Sequence, residues 1–164
     1  MLGAVPPLLD GTRARVSSRG VAGPDDFDFW LGSWVASWGE DGATGRNVIA
    51  KSFDGRVVEE RFDGRPGVEF RGMSVNVYDA PRDRWLQTWV DDEGNYFALE
   101  GAKRDGEMTL LCDRHNGENQ SLRYRMRFHE IEDDSFTWSW ERSIDGGETF
   151  SLAWRIAYRR ANDD

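Results

Sequence analysis

The sequence predicts an all-β protein: a single antiparallel up-and-down barrel of about ten strands, plugged at one end by a short N-terminal helical turn. Short runs of alternating apolar and polar residues recur along the chain, and turn-forming pairs separate them roughly every 8–12 residues. The composition agrees, because 8 Trp, 9 Phe and 18 Gly accompany only 5 Pro. A chain of 164 residues suffices for one such domain and its core.

The plug is predicted from residues 27–34, Phe-Asp-Phe-Trp-Leu-Gly-Ser-Trp. Four aromatic rings this close together cannot all face water, since each one buries about 150–250 Å² when packed. Asp25 and Asp26 precede them and offer side-chain acceptors for a short helix start. From Trp34 onward the pattern alternates as in a strand. We therefore expect residues 25–31 to form a helical plug that leads into the first strand.

The predicted strands lie between Asp-Gly and Asn-Gly pairs, which tolerate the positive φ of tight hairpins. No proline interrupts any of them, as strand pairing requires. They are expected at residues 34–39, 45–53, 57–62, 69–79, 84–91, 95–103, 107–114, 121–131, 135–143 and 149–159. Residues 1–24 lack periodicity and are expected to form an irregular arm, residues 25–160 the barrel, and residues 161–164 a C-terminal tail.

The charge balance limits the partners that the protein is expected to have. The formal net charge is −9, with 30 acidic and 21 basic residues, which repels phosphate backbones and argues against a nucleic-acid partner. No apolar run is long enough to span a membrane, so no membrane partner is expected. A lone cysteine, Cys112, and the absence of a secretory signal pattern indicate a cytoplasmic protein. The sequence leaves open whether it is a monomer or a homodimer.

The aromatic segment of residues 27–34 resembles the opening signature of a family of small bacterial lipocalin-like, or calycin-type, barrels of unassigned function. Further matching motifs are Gly72-Met73-Ser74 through Tyr78-Asp79, Trp85-x-Gln87-x-Trp89-Val90-Asp91, Trp140-Glu141-Arg142-Ser143, Asp145-Gly146-Gly147 and Tyr158-Arg159-Arg160. The resemblance covers roughly residues 25–160. More distantly, the chain is similar to nitrobindins and to fatty-acid-binding proteins, which share the barrel architecture.

A barrel of about ten strands is wide enough that side chains alone need not fill it. The leading hypothesis is therefore that a small, partly apolar ligand binds inside a hydrophobic cavity. Alternation places a set of polar and aromatic side chains with the predicted core, and these are the candidate ligand-binding residues. They are Trp38, Asn47, Ser74, Asn76, Tyr78, Gln87, Trp89, Tyr124, Trp138 and Arg155.

Two charged residues are expected to point into this cavity. Glu60 lies between Val58 and Phe62, and residues two apart on a strand share a face. For Arg155 the alternation is less favourable, because Trp154 and Ile156 belong to the more apolar face. The nitrobindin-like register nevertheless implies that Ala153, and hence Arg155, points inward.

Two other classes of function stay open. A cofactor-free isomerase or cyclase could use the same cavity, with Glu60 as its catalytic acid or base if burial raises the pKa of that carboxyl. Alternatively, a fully packed barrel would serve as a structural or interaction module and would have no cavity. The sequence carries no nucleophile motif and no phosphate-binding loop that would decide between these classes.

No cofactor and no metal ion are expected. The resemblance to nitrobindins implies a haem-ligating histidine on the last strand, but Ala153 stands at that position. The acidic segment of residues 91–95 is interpreted as a solvated hairpin rather than a cation loop. Another charged pattern, Arg123, Arg125, Arg127 and His129, is interpreted as the outer face of a strand.

Overall fold

The computed structural model describes residues 22–115 and 121–162. Within these residues ten antiparallel strands form a closed barrel, in which each strand pairs with the next along the chain and β1 pairs with β10. The strands are β1 (Gly32–Trp38), β2 (Ala43–Ser52), β3 (Val57–Asp63), β4 (Arg71–Asp79), β5 (Arg84–Asp91), β6 (Tyr96–Arg104), β7 (Glu107–His115), β8 (Ser121–His129), β9 (Ser135–Ser143) and β10 (Ser151–Arg160). The predicted all-β barrel is confirmed, and it is consistent with a calycin-like architecture.

Turn chemistry accounts for the strand boundaries, which agree with the predicted ones to within two residues at every end. Asp54 and Gly55 both adopt positive φ (55° and 83°) in the β2–β3 turn, and Asp105 and Gly106 do so (51° and 84°) in the β6–β7 turn. These are the conformations that Asp-Gly pairs tolerate and most residues avoid. The period-two pattern and its Asp-Gly punctuation therefore determine the hairpins.

The helical plug is shorter than predicted. A single 3-10 turn spans Asp28–Trp30, and its N-cap residue, Phe27, makes no side-chain capping hydrogen bond. Asp26 instead accepts a hydrogen bond from the backbone N–H of Gly23 at 2.8 Å, so its carboxylate stabilises the preceding turn. An ion pair between Asp28 and Lys51 (2.7 Å) ties the 3-10 turn to β2.

The rings of the plug fill one end of the barrel, which we call the closed end. Phe27 packs edge-on against Phe128 (5.5 Å between ring centroids), Trp30 against the same ring (5.0 Å), and Trp34 against Phe136 (4.9 Å). Phe27, Trp30 and Trp34 are all buried. The predicted role of this aromatic segment in closing the barrel is confirmed.

The opposite end of the barrel, which we call the open end, carries no such plug among the described residues. Because neighbouring strands are antiparallel, the turns alternate between the two ends. The β4–β5 turn lies at the closed end, where the Tyr78 hydroxyl is 2.8 Å from the carbonyl oxygen of Ala22. The β5–β6 turn (residues 92–95) lies at the open end. None of the helical segments in the described residues is long and apolar enough to cross a membrane.

The predicted N-terminal arm falls largely outside the described residues, which begin at Ala22. Ala22 is buried, and the carbonyl oxygen of Gly23 accepts a hydrogen bond from Trp85 Nε1 at 3.1 Å. The last residues of the arm therefore contact the closed end of the barrel.

Candidate functional site

A cavity of about 220 Å³ lies in the open half of the barrel and is partly open to solvent. Eight aromatic side chains form its walls: Phe62, Phe70, Trp89, Phe97, Trp138, Trp140, Trp154 and Tyr158. The remaining lining residues are Glu60, Asp91, Glu93, Asn95, Leu99, Met126 and Ile156. Ligand pockets for drug-sized molecules begin at about 300 Å³, so this cavity suits a smaller molecule.

The position of the Trp89 ring is fixed by two neighbours. Its Nε1 donates a hydrogen bond to Asp91 Oδ2 at 2.9 Å. The ring lies over Gly72 on β4, where a Cβ atom would come within 2.1 Å of Trp89 Cζ2. Any larger residue at position 72 would displace the ring, so the glycine is required for this wall of the cavity.

Other rings meet at right angles and form corners. Trp154 on β10 stands nearly perpendicular to Trp138 on β9, with 88° between the ring planes and 5.9 Å between centroids. Phe97 stands perpendicular to Trp140 in the same way (86°, 5.3 Å). Such edge-to-face pairs are favourable arrangements of aromatic rings. Because of these perpendicular pairs, aromatic rings enclose the cavity on several sides.

Glu60 is the charged group in the interior half of this cavity, and only 6% of it is exposed. Its Oε1 accepts a hydrogen bond from Asn47 Nδ2 at 2.8 Å, and its Oε2 accepts one from Ser74 Oγ at 2.6 Å. Asn47 Nδ2 also lies 3.3 Å from the Tyr158 hydroxyl oxygen. Strand pairing explains the arrangement, because Glu60 on β3 stands directly opposite Ser74 on β4.

The cluster of buried polar side chains continues from Ser74 toward β5. Asn76 Nδ2 donates to Ser74 Oγ at 3.0 Å, and Gln87 Nε2 donates to Asn76 Oδ1 at 2.7 Å. Two buried acceptors of this cluster, Asn47 Oδ1 and Gln87 Oε1, have no hydrogen-bond partner among the described residues. Leaving a buried polar atom unpaired costs about 1–3 kcal/mol.

Burial changes the acid-base properties of two groups at the cavity. It raises the pKa of Glu60 from 4.5 to about 7, although the hydrogen bonds from Ser74 and Asn47 act in the opposite direction. Burial, together with the nearby Glu60 carboxylate, raises the pKa of Tyr158 well above its ordinary value. Near neutral pH, Glu60 therefore exists in both protonation states and can either accept or donate a proton.

The structure brings most of the predicted site residues to one region. Three of them line the cavity: Glu60, Trp89 and Trp138. Four more belong to the polar cluster: Asn47, Ser74, Asn76 and Gln87. The predicted inward orientation of all seven agrees with the structure.

Two predicted aromatic residues do not line the cavity but pack against rings that do. Trp38 packs edge-on against Trp154, with 5.4 Å between the ring centroids. Tyr124 stacks nearly parallel on Trp140 at 5.1 Å. Each of them supports a ring that lines the cavity.

Tyr78 and Arg155 were expected in the cavity, and the structure places them elsewhere. Tyr78 lies at the closed end, where its hydroxyl is 2.8 Å from Asp83 Oδ1. Arg155 is exposed on the outer surface, and so is Ala153. The inward orientation that the nitrobindin-like register implied for Arg155 is therefore wrong.

A β-bulge between Leu152 and Trp154 explains the orientation along β10. The extra residue reverses the alternation, so Leu152 is exposed whereas Trp154, Ile156 and Tyr158 face inward. The apolar alternation of this strand was therefore the better guide to the inward face.

The prediction omitted several lining residues. These are Phe62, Phe70, Asp91, Glu93, Asn95, Phe97, Leu99, Met126, Trp140, Trp154, Ile156 and Tyr158. Alternation on β6 could have found Phe97 and Leu99, which point inward between the exposed Tyr96 and Ala98.

The charged patterns outside the cavity have structural roles. Arg123 pairs with Asp113 at 2.7 Å, Arg127 pairs with Glu107 at 2.8 Å, and Arg125 pairs with Glu141, so the basic pattern of β8 is an ion-paired outer face as predicted. In the hairpin of residues 91–95, Asp91 Oδ1 accepts a hydrogen bond from the Asn95 backbone N–H at 3.0 Å. Among the described residues, no group of three or more His, Cys, Asp or Glu is placed to hold a metal ion.

The cavity and its polar cluster are the observations that bear on function, because the family models and curated proteins suggest no function for this chain. No family model matches the sequence, and no curated protein matches it either.

Proposed function

We propose that the protein is a small lipocalin-like binding protein that holds a small, partly apolar molecule in the open half of its barrel. The observation that carries the proposal is the combination of eight aromatic lining side chains with one buried carboxyl group, Glu60, in the same cavity. Apolar walls with a few polar groups are the usual composition of a small-molecule site. A fully packed structural barrel, in contrast, has no cavity to line.

The proposal includes no haem and no nucleic acid. The position that a nitrobindin-like haem ligand would occupy, Ala153, is exposed and offers no donor atom. The cavity volume of about 220 Å³ is also below the range for drug-sized ligands, and haem is larger than most of those. The net charge of −9 would repel a phosphate backbone.

A naphthol is a suitable probe, because it combines a flat apolar body with one hydroxyl group that the polar cluster can bind. We expect saturable binding to the protein by isothermal titration calorimetry. Leu99→Phe, which adds volume inside the cavity, should weaken this binding by about tenfold or more, since overpacking a filled site displaces the ligand. Native mass spectrometry of freshly purified protein would identify any ligand that co-purifies.

Ala98→Phe is the matched control. Ala98 is the neighbour of Leu99 on β6 and is exposed, so the same ring is added outside the barrel. Naphthol binding that is absent from the wild-type protein, or equally weakened by the two substitutions, would contradict the proposed site.

A second candidate function is acid-base catalysis on the bound molecule, as in a cofactor-free isomerase or cyclase. The observation that favours it is the pKa of Glu60, which burial raises to about 7. A carboxyl group with a pKa near the working pH is an efficient general base. The apolar walls would exclude water from the reacting group.

Nitrobenzisoxazole tests this second function, because a carboxylate base can remove its ring C–H proton as the N–O bond breaks to give a coloured phenolate. We expect a rate above that of buffer that rises with pH through about 7 as Glu60 ionises. Glu60→Gln should abolish the enzymatic rate, whereas Glu59→Gln on the opposite face of β3 should retain it. A rate in the wild-type protein no higher than that of the Glu60 variant would contradict catalysis by this group.

A further inference from the structure

The charge of the cavity lining has one sign only among the described residues. Glu60, Asp91 and Glu93 contribute three carboxyl groups, and none of the fifteen described residues that line the cavity is Lys, Arg or His. The protein as a whole carries a net charge of −9. An anionic ligand would therefore be repelled both on approach and inside the cavity.

The aromatic walls favour a cation for a separate reason. The face of an aromatic ring carries negative charge density, and the face of Trp attracts a cation most strongly. Four of the lining residues are tryptophans: Trp89, Trp138, Trp140 and Trp154. Because Trp138 and Trp154 stand perpendicular to each other and Trp140 stands perpendicular to Phe97, a ligand in the cavity has ring surfaces on more than one side.

One intramolecular contact at the rim already shows this attraction. The guanidinium carbon of Arg114 lies 4.5 Å from the centroid of the Phe97 ring. Arg114 itself is exposed and does not line the cavity, so its charge is screened by solvent.

The polar cluster lacks hydrogen-bond donors rather than acceptors. Its two buried atoms without a partner in the described residues, Asn47 Oδ1 and Gln87 Oε1, are both acceptors, and both residues are more than nine-tenths buried. The Glu60 carboxylate, which adjoins Asn47, also accepts hydrogen bonds from its neighbours. Asn47 and Gln87 do not line the cavity, whereas Glu60 does, so a ligand that brings an N–H or O–H donor would meet the cluster at the Glu60 carboxyl group.

We propose that the cavity is selective for an organic cation, namely a protonated or quaternary amine on a small apolar body. This inference rests on the proposed ligand-binding function and specifies the class of its ligand. Aromatic rings would surround the cationic centre, and the carboxylates of Glu60 and the rim residues Asp91 and Glu93 would balance its charge.

The proposal implies that ligand binding is linked to the ionisation of Glu60. The groups that face its carboxyl are Asn47 on β2, Ser74 on β4 and Tyr158 on β10, and none of them carries a positive charge. A cation in the cavity would be the first positive charge close to Glu60 and would favour its ionised form. Affinity for a cation is therefore expected to rise with pH through about 7.

Choline and its neutral isostere dimethylbutanol, in which carbon replaces the nitrogen, test the inference directly. At about pH 8, above the pKa of Glu60 of about 7, choline should bind at least about tenfold more tightly than dimethylbutanol. Calorimetry or ligand-observed NMR measures both affinities. At about pH 6, where Glu60 is mostly protonated, the preference for choline over dimethylbutanol should be smaller. Dimethylbutanol binding as tightly as choline, or no binding of choline, would overturn the inference.

Variants locate the effect in the cavity. Glu60→Gln should lower the ratio of choline affinity to dimethylbutanol affinity by about fivefold or more, whereas Glu59→Gln should leave the affinity for each compound unchanged. Trp140→Leu is a second variant, which removes an aromatic face and should also lower the preference for choline. Choline binding that is insensitive to both cavity substitutions would overturn the inference. Naphthol binding separates the two proposals, because a protein that binds naphthol but prefers dimethylbutanol has a ligand site without cation selectivity.

Discussion

Trp34→Ala is expected to lower the free energy of unfolding by about 3–5 kcal/mol, the range for large aromatic truncations in a core. Trp34 is 1% exposed, and its Nε1 donates a hydrogen bond to the carbonyl oxygen of Trp30 at 2.7 Å. Its ring packs edge-on against Phe136 and lies 4.4 Å from the guanidinium carbon of Arg160 on β10. One substitution therefore loosens the plug, the core and the seam between β1 and β10 together.

Urea denaturation with linear extrapolation measures this loss. Trp38→Ala is the matched control, because Trp38 lies on the same strand and also faces inward, but it is only partly buried at the open end. We expect a smaller loss for that variant. A loss below about 1 kcal/mol for Trp34→Ala would contradict the central role of the plug in stability.

The hairpin pattern was readable from the sequence because it depends on local chemistry. Strand alternation and Asp-Gly turns act over a few residues, and the structure reproduces the predicted strand boundaries to within two residues. The same local argument assigned Glu60, Ser74 and Gln87 to the inward face, and all three are buried.

On β10, alternation predicts the inward face correctly from Trp154 onward but does not reveal the orientation of Leu152. The bulge between Leu152 and Trp154 adds one residue to the strand and reverses the faces on one side of it. Arg155 lies beyond the bulge, where alternation with the inward-facing Trp154 and Ile156 places it on the outer face. It was assigned to the wrong face because the register implied by a distant resemblance was preferred to that alternation.

Alternation also does not tell how far along the barrel axis an inward-facing residue lies. Tyr78 and Trp89 both point inward, yet Tyr78 lies at the closed end and Trp89 in the cavity at the open end. The topology contains this information, because the ends of successive strands alternate between the two ends of a meander. Applied to the sequence, this rule would have removed Tyr78 from the candidate site and drawn attention to the open-end residues Phe97, Trp140 and Trp154.

The ionisation of Glu60 is expected to make the wild-type protein less stable as the pH rises. Burial raises the pKa of Glu60 in the folded protein to about 7, whereas the unfolded chain retains an ordinary value near 4.5. Below about pH 4.5 the carboxyl is neutral in both states, and its burial carries no charge penalty. Between about 4.5 and about 7 the unfolded chain binds fewer protons than the folded protein, so stability falls. Each tenfold change in the acid dissociation constant corresponds to about 1.4 kcal/mol, so the total fall is about 3 kcal/mol.

Glu60→Gln removes this titration and should show its largest relative gain in stability at high pH. Urea denaturation of both proteins at about pH 4.5 and about pH 8 should give a difference in unfolding free energy that shifts by about 3 kcal/mol in favour of the variant. Other titrating groups, such as the partly buried His129, contribute equally to both proteins and cancel in this comparison. Glu59→Gln removes a carboxyl group from the opposite face of the same strand and should show no comparable shift. A difference between wild type and Glu60→Gln that stays constant over this pH interval would mean that Glu60 ionises as an ordinary carboxyl group, and it would remove the basis for both its role as a base and its linkage to a bound cation.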